Sequence, residues 1–408
     1  MYKLNSQKHP DFWEPSDIVT HEGDDYQKFG GAATPPIWQT SLFVTPSPAN
    51  GLPDFGYSYT RASNPTVEVA EQKTAALEGG EDAVCFASGM AAISSVLFHY
   101  LQKDCHIIAV RDVYASAYSL LKDWLPARTG ATVTFVDGRN FSTIAAAAKS
   151  NPHTRLIYLE SPSSGVFTLQ DLEKAGQFSR DTGIPVVIDS TWATPLGQSP
   201  LKYGIDTVIH SASKYLSGHS DIVGGVAVSS RENCASFRTQ RMLLGGCMDP
   251  HQAWLMVRGM RTRPLRMQRH MNSALAVAKW LERQPQVEHV FYPGLASHPQ
   301  QELIVRQMKG FSGLLSLVVK GGVSSGRAFT DRLRVFQKGC SWGGYESLVL
   351  PLTLGMDPQS CEQRGMPPNL IRLHVGLEEP DTLIADLRQA LEGSAYVQGS
   401  ADEDKAPI

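Results

Sequence analysis

A lysine with two nearby hydroxyls follows one of the apolar segments of this sequence. Lys214 comes shortly after the strand-like segment Thr207–Ile209, in the run S-A-S-K-Y-L-S-G-H. Ligands of open α/β sheets bind at the carboxyl ends of strands, and the hydroxyls of Ser211 and Ser213 could hold an anion beside the lysine amine. Taken alone, the string is typical of a solvated lysine in a serine-rich turn.

A carboxylate ends the preceding apolar segment, Pro185–Ile188. Asp189 comes 25 residues before Lys214. A carboxylate that faces a pyridine nitrogen keeps that nitrogen protonated, which strengthens a pyridoxal ring as an electron sink. An isolated aspartate at a strand end is at least as typical of a helix N-cap.

A third feature is the passage from the segment Ala83–Phe86 into a helix through Ser88 and Gly89. Free N–H groups at a helix start, together with the helix dipole, suit a phosphate group. The same residues also fit an ordinary tight turn between strand and helix. Neither the G-x-x-x-x-G-K-[ST] nor the G-x-G-x-x-G pattern occurs at this turn, so the fingerprints of ATP and dinucleotide sites are missing.

The three features follow one another in the order that an enzyme using pyridoxal 5'-phosphate (PLP) requires: phosphate cradle, aspartate, lysine. From about Thr20 to Leu391 the sequence resembles the Cys/Met-metabolism family of fold-type-I PLP enzymes. Other stretches carry the same resemblance, at 35–43, 59–66, 77–80, 292–299 and 310–313.

The resemblance implies how the cofactor is held. Lys214 would carry PLP covalently, Asp189 would pair with the pyridinium nitrogen, and Tyr114 would stack on the ring. The phosphate would be held by Gly89, Met90, Ser211 and Ser213.

The resemblance also implies an oligomer. Tyr59 and Arg61 match residues that reach the phosphate of a neighbouring subunit's cofactor, and Tyr59 is counted with Lys214 and Tyr114 among the catalytic residues. The active unit would be at least a dimer, and the expected assembly is a homotetramer.

Substrate binding is expected at three further residues. Arg372 corresponds to the arginine that binds the substrate α-carboxylate. Ser341 and Trp342 are the other two residues expected to bind the substrate. The chemistry of Arg372 agrees, because an arginine in an apolar strand cannot lose its charge and therefore needs an anion.

The elements that must position these residues predict an α/β fold. Short apolar segments alternate with helical stretches, which is the rhythm of βαβ units in a mainly parallel sheet with helices on both faces. The family resemblance implies seven strands. The predicted strands are 83–86, 106–110, 133–136, 156–159, 185–188 and 207–209.

A second, smaller α+β unit is expected after a long helix at Trp254–Trp280. It would contain strands at 311–319 and 370–375 and helices at 326–335 and 380–391. The predicted domains are an extended N-terminal arm at 1–60 that contributes to a neighbouring subunit, a large PLP-binding domain at 61–255, a small domain at 256–393 and a disordered tail at 394–408.

Composition narrows the class of protein. The formal net charge of −3 gives no whole-protein reason to expect nucleic acid or an anionic membrane as partner. The cysteines form no C-x-x-C pair and there is no H-E-x-x-H, so we predict no metal site. The first residues contain no apolar signal region, which predicts a cytoplasmic protein.

The subtype is indicated by the string S-W-G-G-Y-E-S at 341–347, which resembles bacterial cystathionine β-lyases. Cys340 stands where γ-lyases generally have a glutamate, so the position offers no carboxylate for γ-chemistry. The segment E-S-P-S-S at 160–164 also favours a β-lyase. In contrast, the stretches at 35–40 and 59–66 resemble γ-lyases and γ-synthases.

The expected activity is PLP-dependent β-elimination of L-cystathionine to homocysteine, pyruvate and ammonia, with cystine, cysteine or another S-substituted cysteine as other substrates. The alternatives are cystathionine γ-lyase, methionine γ-lyase, cystathionine γ-synthase and O-acylhomoserine sulfhydrylase. A non-catalytic binding protein is the alternative from another class.

Overall fold

The larger of two β-sheets contains seven strands. The computed structural model describes residues 10–394. The strand order is β1-β7-β6-β5-β4-β2-β3, and only β7 runs antiparallel to its neighbours. The predicted mainly parallel sheet is therefore confirmed. Its strands are β1 (Asp82–Phe86), β2 (His106–Val110), β3 (Thr132–Val136), β4 (Thr154–Glu160), β5 (Val186–Asp189), β6 (Thr207–Ser211) and β7 (Gly225–Ser229).

Helices cover both faces of this sheet. Alternate side chains of a strand point to opposite faces, and in β1 Val84 belongs to one apolar cluster while Ala83 and Cys85 belong to another. The helices before the second sheet are α1 (Pro15–His21), α2 (Pro65–Glu78), α3 (Gly89–Tyr100), α4 (Ala115–Ser119), α5 (Leu125–Thr129), α6 (Phe141–Ser150), α7 (Leu172–Thr182), α8 (Thr194–Gly197), α9 (Arg231–Leu244), α10 (Pro250–Arg261) and α11 (Arg263–Leu281).

The second sheet has five strands in the order β10-β11-β12-β9-β8, and it forms the expected smaller α+β part. Its strands are β8 (Val287–Phe291), β9 (Leu314–Val319), β10 (Gln337–Lys338), β11 (Leu348–Pro351) and β12 (Leu370–His374). The accompanying helices are α12 (Gln301–Gln307), α13 (Gly322–Arg332), α14 (Pro358–Gln363) and α15 (Pro380–Ser394). Except for Ser394, the tail predicted at 394–408 lies outside the described residues.

The prediction of a single long helix at Trp254–Trp280 is wrong. Two helices, α10 and α11, meet at Thr262. Pro264 is the second residue of α11, where a missing N–H costs nothing, whereas in the middle of one continuous helix it would remove a hydrogen bond and clash with the preceding turn.

The N-terminal stretch is not extended throughout. Helix α1 begins with Pro15 at its first position, and Glu14 and Asp17 form a reciprocal capping box there. Val19 of this helix is buried in the apolar cluster that includes α2 and α10. This part of the predicted arm therefore packs against its own chain.

Helices α10 and α11 hold the turn that follows β6. A Cβ added at Gly259 of α10 would lie 2.0 Å from the carbonyl oxygen of Ser217 in that turn. Arg266 of α11 donates from Nη2 to the carbonyl oxygen of Gly259 at 2.6 Å and to that of Tyr215 at 3.3 Å. The position of Lys214 thus depends on close backbone packing at Gly259.

We expect Gly259→Ala to lower the free energy of unfolding by about 1–3 kcal/mol, because the added methyl group would press on backbone rather than on a flexible side chain. The matched control is Arg258→Ala, since Arg258 is the exposed neighbour on the same helix. This control should change the free energy by less than about 0.5 kcal/mol. Urea denaturation measures both, and equal stabilities of the two variants would contradict the packing described.

Candidate active site

The carboxyl ends of three neighbouring parallel strands meet at one edge of the large sheet. β4 ends at Glu160 and β5 at Asp189, and these two residues are directly paired in the strand register. β6 ends at Ser211, and the turn after it carries Lys214. The sheet topology therefore brings the predicted aspartate and lysine to the same edge.

Asp189 is a buried carboxylate with one oxygen left for a ligand. Thr191 donates to Asp189 Oδ1 from its backbone N–H at 2.9 Å and also from its hydroxyl. Among residues 10–394, no hydrogen bond reaches Oδ2. Burial raises the pKa of Asp189, while the hydrogen bonds from Thr191 and the charge of Lys214 act in the opposite direction.

The start of helix α3 carries the residues predicted to hold a phosphate. Ser88 caps the helix by accepting a hydrogen bond from the N–H of Ala91. Within the described part of the chain, the N–H groups of Gly89 and Met90 donate to no protein acceptor. A Cβ at Gly89 would lie 3.0 Å from Ser211 Oγ, so this hydroxyl faces the helix start closely. Two N–H groups and a hydroxyl thus converge at the positive end of a helix dipole.

Ser213 lies on the same turn, but its hydroxyl is already engaged. It accepts a hydrogen bond from the N–H of Gly224 at 2.9 Å and donates to the carbonyl oxygen of Gly224 at 3.3 Å. In this arrangement Ser213 fixes the turn around Lys214.

The amine of Lys214 is held by residues of the second sheet's loops. Lys214 Nζ donates to Ser341 Oγ at 2.6 Å and lies 5.3 Å from the centre of the Trp342 ring. Burial, and next the positive charge of Arg372, lower the pKa of Lys214 to about 8. A substantial fraction of this amine is therefore uncharged at mildly alkaline pH, as a nucleophile or base must be.

Gly343 brings the 341–344 loop onto Lys214. Its φ is +90°, and a Cβ there would lie 2.8 Å from Lys214 Cα. The N–H of Gly343 donates to His374 Nε2 at 3.1 Å. Burial lowers the pKa of His374 to about 4, so at neutral pH the imidazole is uncharged. Nε2 also lies 3.0 Å from the carbonyl oxygen of Gly344, and the tautomer decides whether it accepts from Gly343 or donates to Gly344.

Arg372 is a buried cation without a carboxylate partner among residues 10–394. Nη1 donates to the carbonyl oxygen of Ser164 and Nη2 to that of Cys340, both at 3.2 Å. Burial lowers the pKa of Arg372 to about 10. Carbonyl oxygens satisfy part of the guanidinium but do not neutralise its charge, which suits the binding of a ligand carboxylate.

Glu160 is a buried residue of this edge to which the sequence reasoning gave no role. Its Oε2 accepts a hydrogen bond from the N–H of Tyr114 at 2.6 Å, and its Oε1 accepts one from the N–H of Ser164 at 2.8 Å. Burial, and next the charge of Asp189, raise the pKa of Glu160. The signal was available, since Glu160 ends an apolar strand just as Asp189 does. The side chain of Tyr114 itself is 45% exposed.

The structure does not bring Tyr59 and Arg61 into contact with the other predicted residues of the same chain. Tyr59 is 45% exposed, and the Arg61 guanidinium lies 5.5 Å from the centre of its ring. Arg61 Nη1 donates to the carbonyl oxygen of Met242. Within residues 10–394, no hydrogen bond or ion pair joins either residue to Lys214 or Arg372.

Comparison with known proteins agrees with this geometry. The family described as Cys/Met metabolism PLP-dependent enzyme matches residues 17–392. The chain belongs to this family. Its members use PLP, and the resemblance inferred from the sequence is confirmed.

Similar proteins differ in their reactions. L-methionine gamma-lyase from Pseudomonas putida is 39% identical, covering 92% of this chain and 96% of the relative. Cystathionine beta-lyase from Coxiella burnetii is 36% identical with the same coverage of both chains. The structure of cystathionine gamma synthase from Xanthomonas oryzae pv. oryzae superposes with a TM-score of 0.89 at 32% identity, covering 95% of this chain and all of that one. The chain is therefore an enzyme of PLP-dependent sulfur amino-acid chemistry with a fold-type-I architecture.

A membrane-spanning segment is not found among the helices of the described residues.

We expect Gly343→Ala to weaken PLP binding at least about tenfold, because overpacking against the backbone of Lys214 costs about 1–3 kcal/mol. Gly355→Ala is the matched control. Gly355 also has a positive φ, +78°, but a Cβ there would meet only Arg327, at 3.6 Å. Both variants carry the cost of a left-handed residue, about 1–2 kcal/mol. Equilibrium titration with PLP followed by visible absorbance separates the two effects, and equal PLP affinities would contradict the contact.

We expect Lys214 in the PLP-free enzyme to react with acetic anhydride with a midpoint near pH 8, the pKa set by burial and Arg372. A free lysine amine added as internal standard titrates near pH 10.4. Arg372→Met should move the Lys214 midpoint upward, because a positive charge that favours the neutral amine is removed. Competitive labelling with peptide mapping measures this. A midpoint above about 10 in the unaltered enzyme would show an ordinary lysine.

Proposed function

We propose that PLP is held at the carboxyl edge of the large sheet by residues of this chain. The N–H groups of Gly89 and Met90 and the hydroxyl of Ser211 would hold its phosphate, and Asp189 would pair with its ring nitrogen. The free oxygen of Asp189 and the two N–H groups without protein acceptors support this assignment, since each fits one polar end of the cofactor. Lys214 is the residue to which the aldehyde is joined.

The proposed roles of the individual protein groups follow from their charges. PLP, when bound, supplies an electron-withdrawing ring that acidifies the Cα–H of an amino acid joined to it. Arg372 binds the α-carboxylate and thereby orients Cα. Lys214 Nζ, freed when the substrate amine displaces it from the aldehyde, would take the Cα proton in its neutral form. Asp189 stays ionised opposite the ring nitrogen, and Tyr114 stacks on the ring.

We infer that the reaction is a carbon–sulfur β-elimination, with L-cystathionine as the preferred substrate and homocysteine, pyruvate and ammonia as products. The observation that supports it is that Lys214 Nζ donates to Ser341 Oγ at 2.6 Å and lies 5.3 Å from the centre of the Trp342 ring. Before a thiolate can leave Cβ, only the Cα proton has to be removed. A single base in a fixed position, Lys214 Nζ, is therefore sufficient for this step.

Elimination at Cγ is the second candidate. It requires a further proton to leave Cβ, and hence more acid–base steps at a second atom. Resemblance to L-methionine gamma-lyases at 36–39% identity favours it. Cys340 is exposed beside the site and offers a thiol where a carboxylate would serve γ-chemistry. We therefore rank β-elimination first.

We further propose that the active assembly is a homotetramer in which the predicted arm at 1–60, apart from α1, contributes to a neighbouring subunit. Within one chain, Tyr59 and Arg61 lie away from the groups that would hold PLP, which fits a role at a partner's phosphate. Residues 61–255 would form the PLP-binding domain and 256–393 the small domain.

We expect the purified enzyme to release pyruvate from L-cystathionine, and much less 2-oxobutanoate from L-cystathionine or L-methionine. Separation of the two keto acids by chromatography, with cystine and O-acetylhomoserine assayed in parallel, measures the preference. Lys214→Ala should reduce turnover by at least about 100-fold, the lower end of what a positioned base contributes. 2-Oxobutanoate as the main product would show γ-elimination, and unchanged turnover of the variant would refute the role of Lys214.

A further inference from the structure

Glu160 connects two parts of the active site through backbone groups. It is 4% exposed, and its two oxygens accept hydrogen bonds from different chain segments, the N–H of Tyr114 and the N–H of Ser164. A carboxylate that accepts from two buried N–H groups fixes both peptides more firmly than a neutral acceptor would.

One of these peptide groups is held from both sides. The N–H of Tyr114 and the carbonyl oxygen of Val113 belong to the same peptide bond. Glu160 accepts from the N–H at 2.6 Å, while Arg364 Nη2 donates to the carbonyl oxygen at 2.7 Å. A carboxyl oxygen and a guanidinium thus hold the two ends of one peptide group, which fixes the backbone at Tyr114.

The second peptide leads to the substrate-binding side. The N–H of Ser164 donates to Glu160 Oε1, and the carbonyl oxygen of Ser164 accepts a hydrogen bond from Arg372 Nη1 at 3.2 Å. A displacement of Ser164 would therefore move one of the two protein acceptors that orient the Arg372 guanidinium.

We propose that Glu160 is a positioning residue. It holds Arg372 indirectly, through Ser164, and it holds Tyr114 by that residue's backbone N–H. One buried carboxyl group thus fixes the positions of both the carboxylate-binding arginine and the aromatic residue. This rests on the proposed function only in taking Arg372 as the group that binds an amino-acid carboxylate. Glu160 touches neither substrate nor cofactor in this role.

Glycine and methylamine are a matched pair of probes. Both present an amine, only glycine has a carboxylate, and neither has a Cβ from which sulfur could leave. Binding of each to the PLP-loaded enzyme is followed by the absorbance of the bound cofactor. In Glu160→Gln, one buried N–H faces an amide NH2 instead of an acceptor, and we expect the glycine dissociation constant to rise about 5- to 100-fold. The fold-increase in the methylamine dissociation constant should be at least about five times smaller than that for glycine, because methylamine has no carboxylate for Arg372 to bind.

Two further variants separate positioning from a general loss of structure. Glu362→Gln makes the same chemical change at an exposed glutamate nearby and should leave both dissociation constants unchanged. In an Arg372→Met background, Glu160→Gln should weaken glycine no more than methylamine, because residues that act through one another show non-additive effects.

The outcomes are distinct. Equal changes for glycine and methylamine in Glu160→Gln, or none in either, would overturn the proposal. If Glu160→Gln does not fold, Glu160→Asp keeps the charge but is one methylene too short to span both peptides, and unimpaired glycine binding in that variant would overturn it as well. An enzyme that binds glycine as expected but releases no pyruvate would refute the β-lyase function and leave the role of Glu160 standing.

Discussion

A buried arginine that forms no ion pair within the described residues is the constraint on which the candidate active site depends. Arg372 is 7% exposed and donates to two carbonyl oxygens, and although the charge of Glu160 acts to raise its pKa, no carboxylate among residues 10–394 forms an ion pair with it. Keeping an unneutralised charge there is costly to the free enzyme. In the proposed function a ligand carboxylate would supply the missing charge, and part of the free energy of binding would come from relieving this cost.

The fold makes this arrangement possible by joining two sheets at one edge. Parallel strands of the large sheet bring Asp189 and the turn of Lys214 together, as their carboxyl ends must. The small sheet contributes Arg372 from β12 and the loop at 341–344, which Gly343 seats on the backbone of Lys214. The lysine amine therefore lies between a carboxylate on one sheet and a cation from the other, and the two charges have opposite effects on its pKa.

Much of this could be predicted from the sequence. Apolar segments located six strands of the large sheet, and the logic of a charged residue at a strand end found Lys214 and Asp189. β7 was missed because Gly225–Ser229 is short and begins with glycine, so it lacks the strong β pattern of its neighbours. The break at Thr262 was missed although Pro264 marks it. Glu160 was missed although it ends an apolar strand as Asp189 does, and the sequence alone could not show which N–H groups it binds. His374 was missed because its contact with the 341–344 loop depends on backbone groups that only the tertiary structure brings near.

The contrast between Arg372 and Glu160 shows how the site divides stability from function. Glu160 is a buried carboxyl group whose two oxygens both accept hydrogen bonds from protein N–H groups, so it holds structure in place whether or not a substrate is bound. Arg372 and Asp189 each keep polar atoms that are only partly satisfied, which leaves something for a ligand to complete. On the proposed role of Glu160, the engaged group keeps the partly satisfied ones in place, because Ser164, held by Glu160, is one of the acceptors that orient the guanidinium. Binding selectivity for an amino acid thus depends on residues that do not touch it.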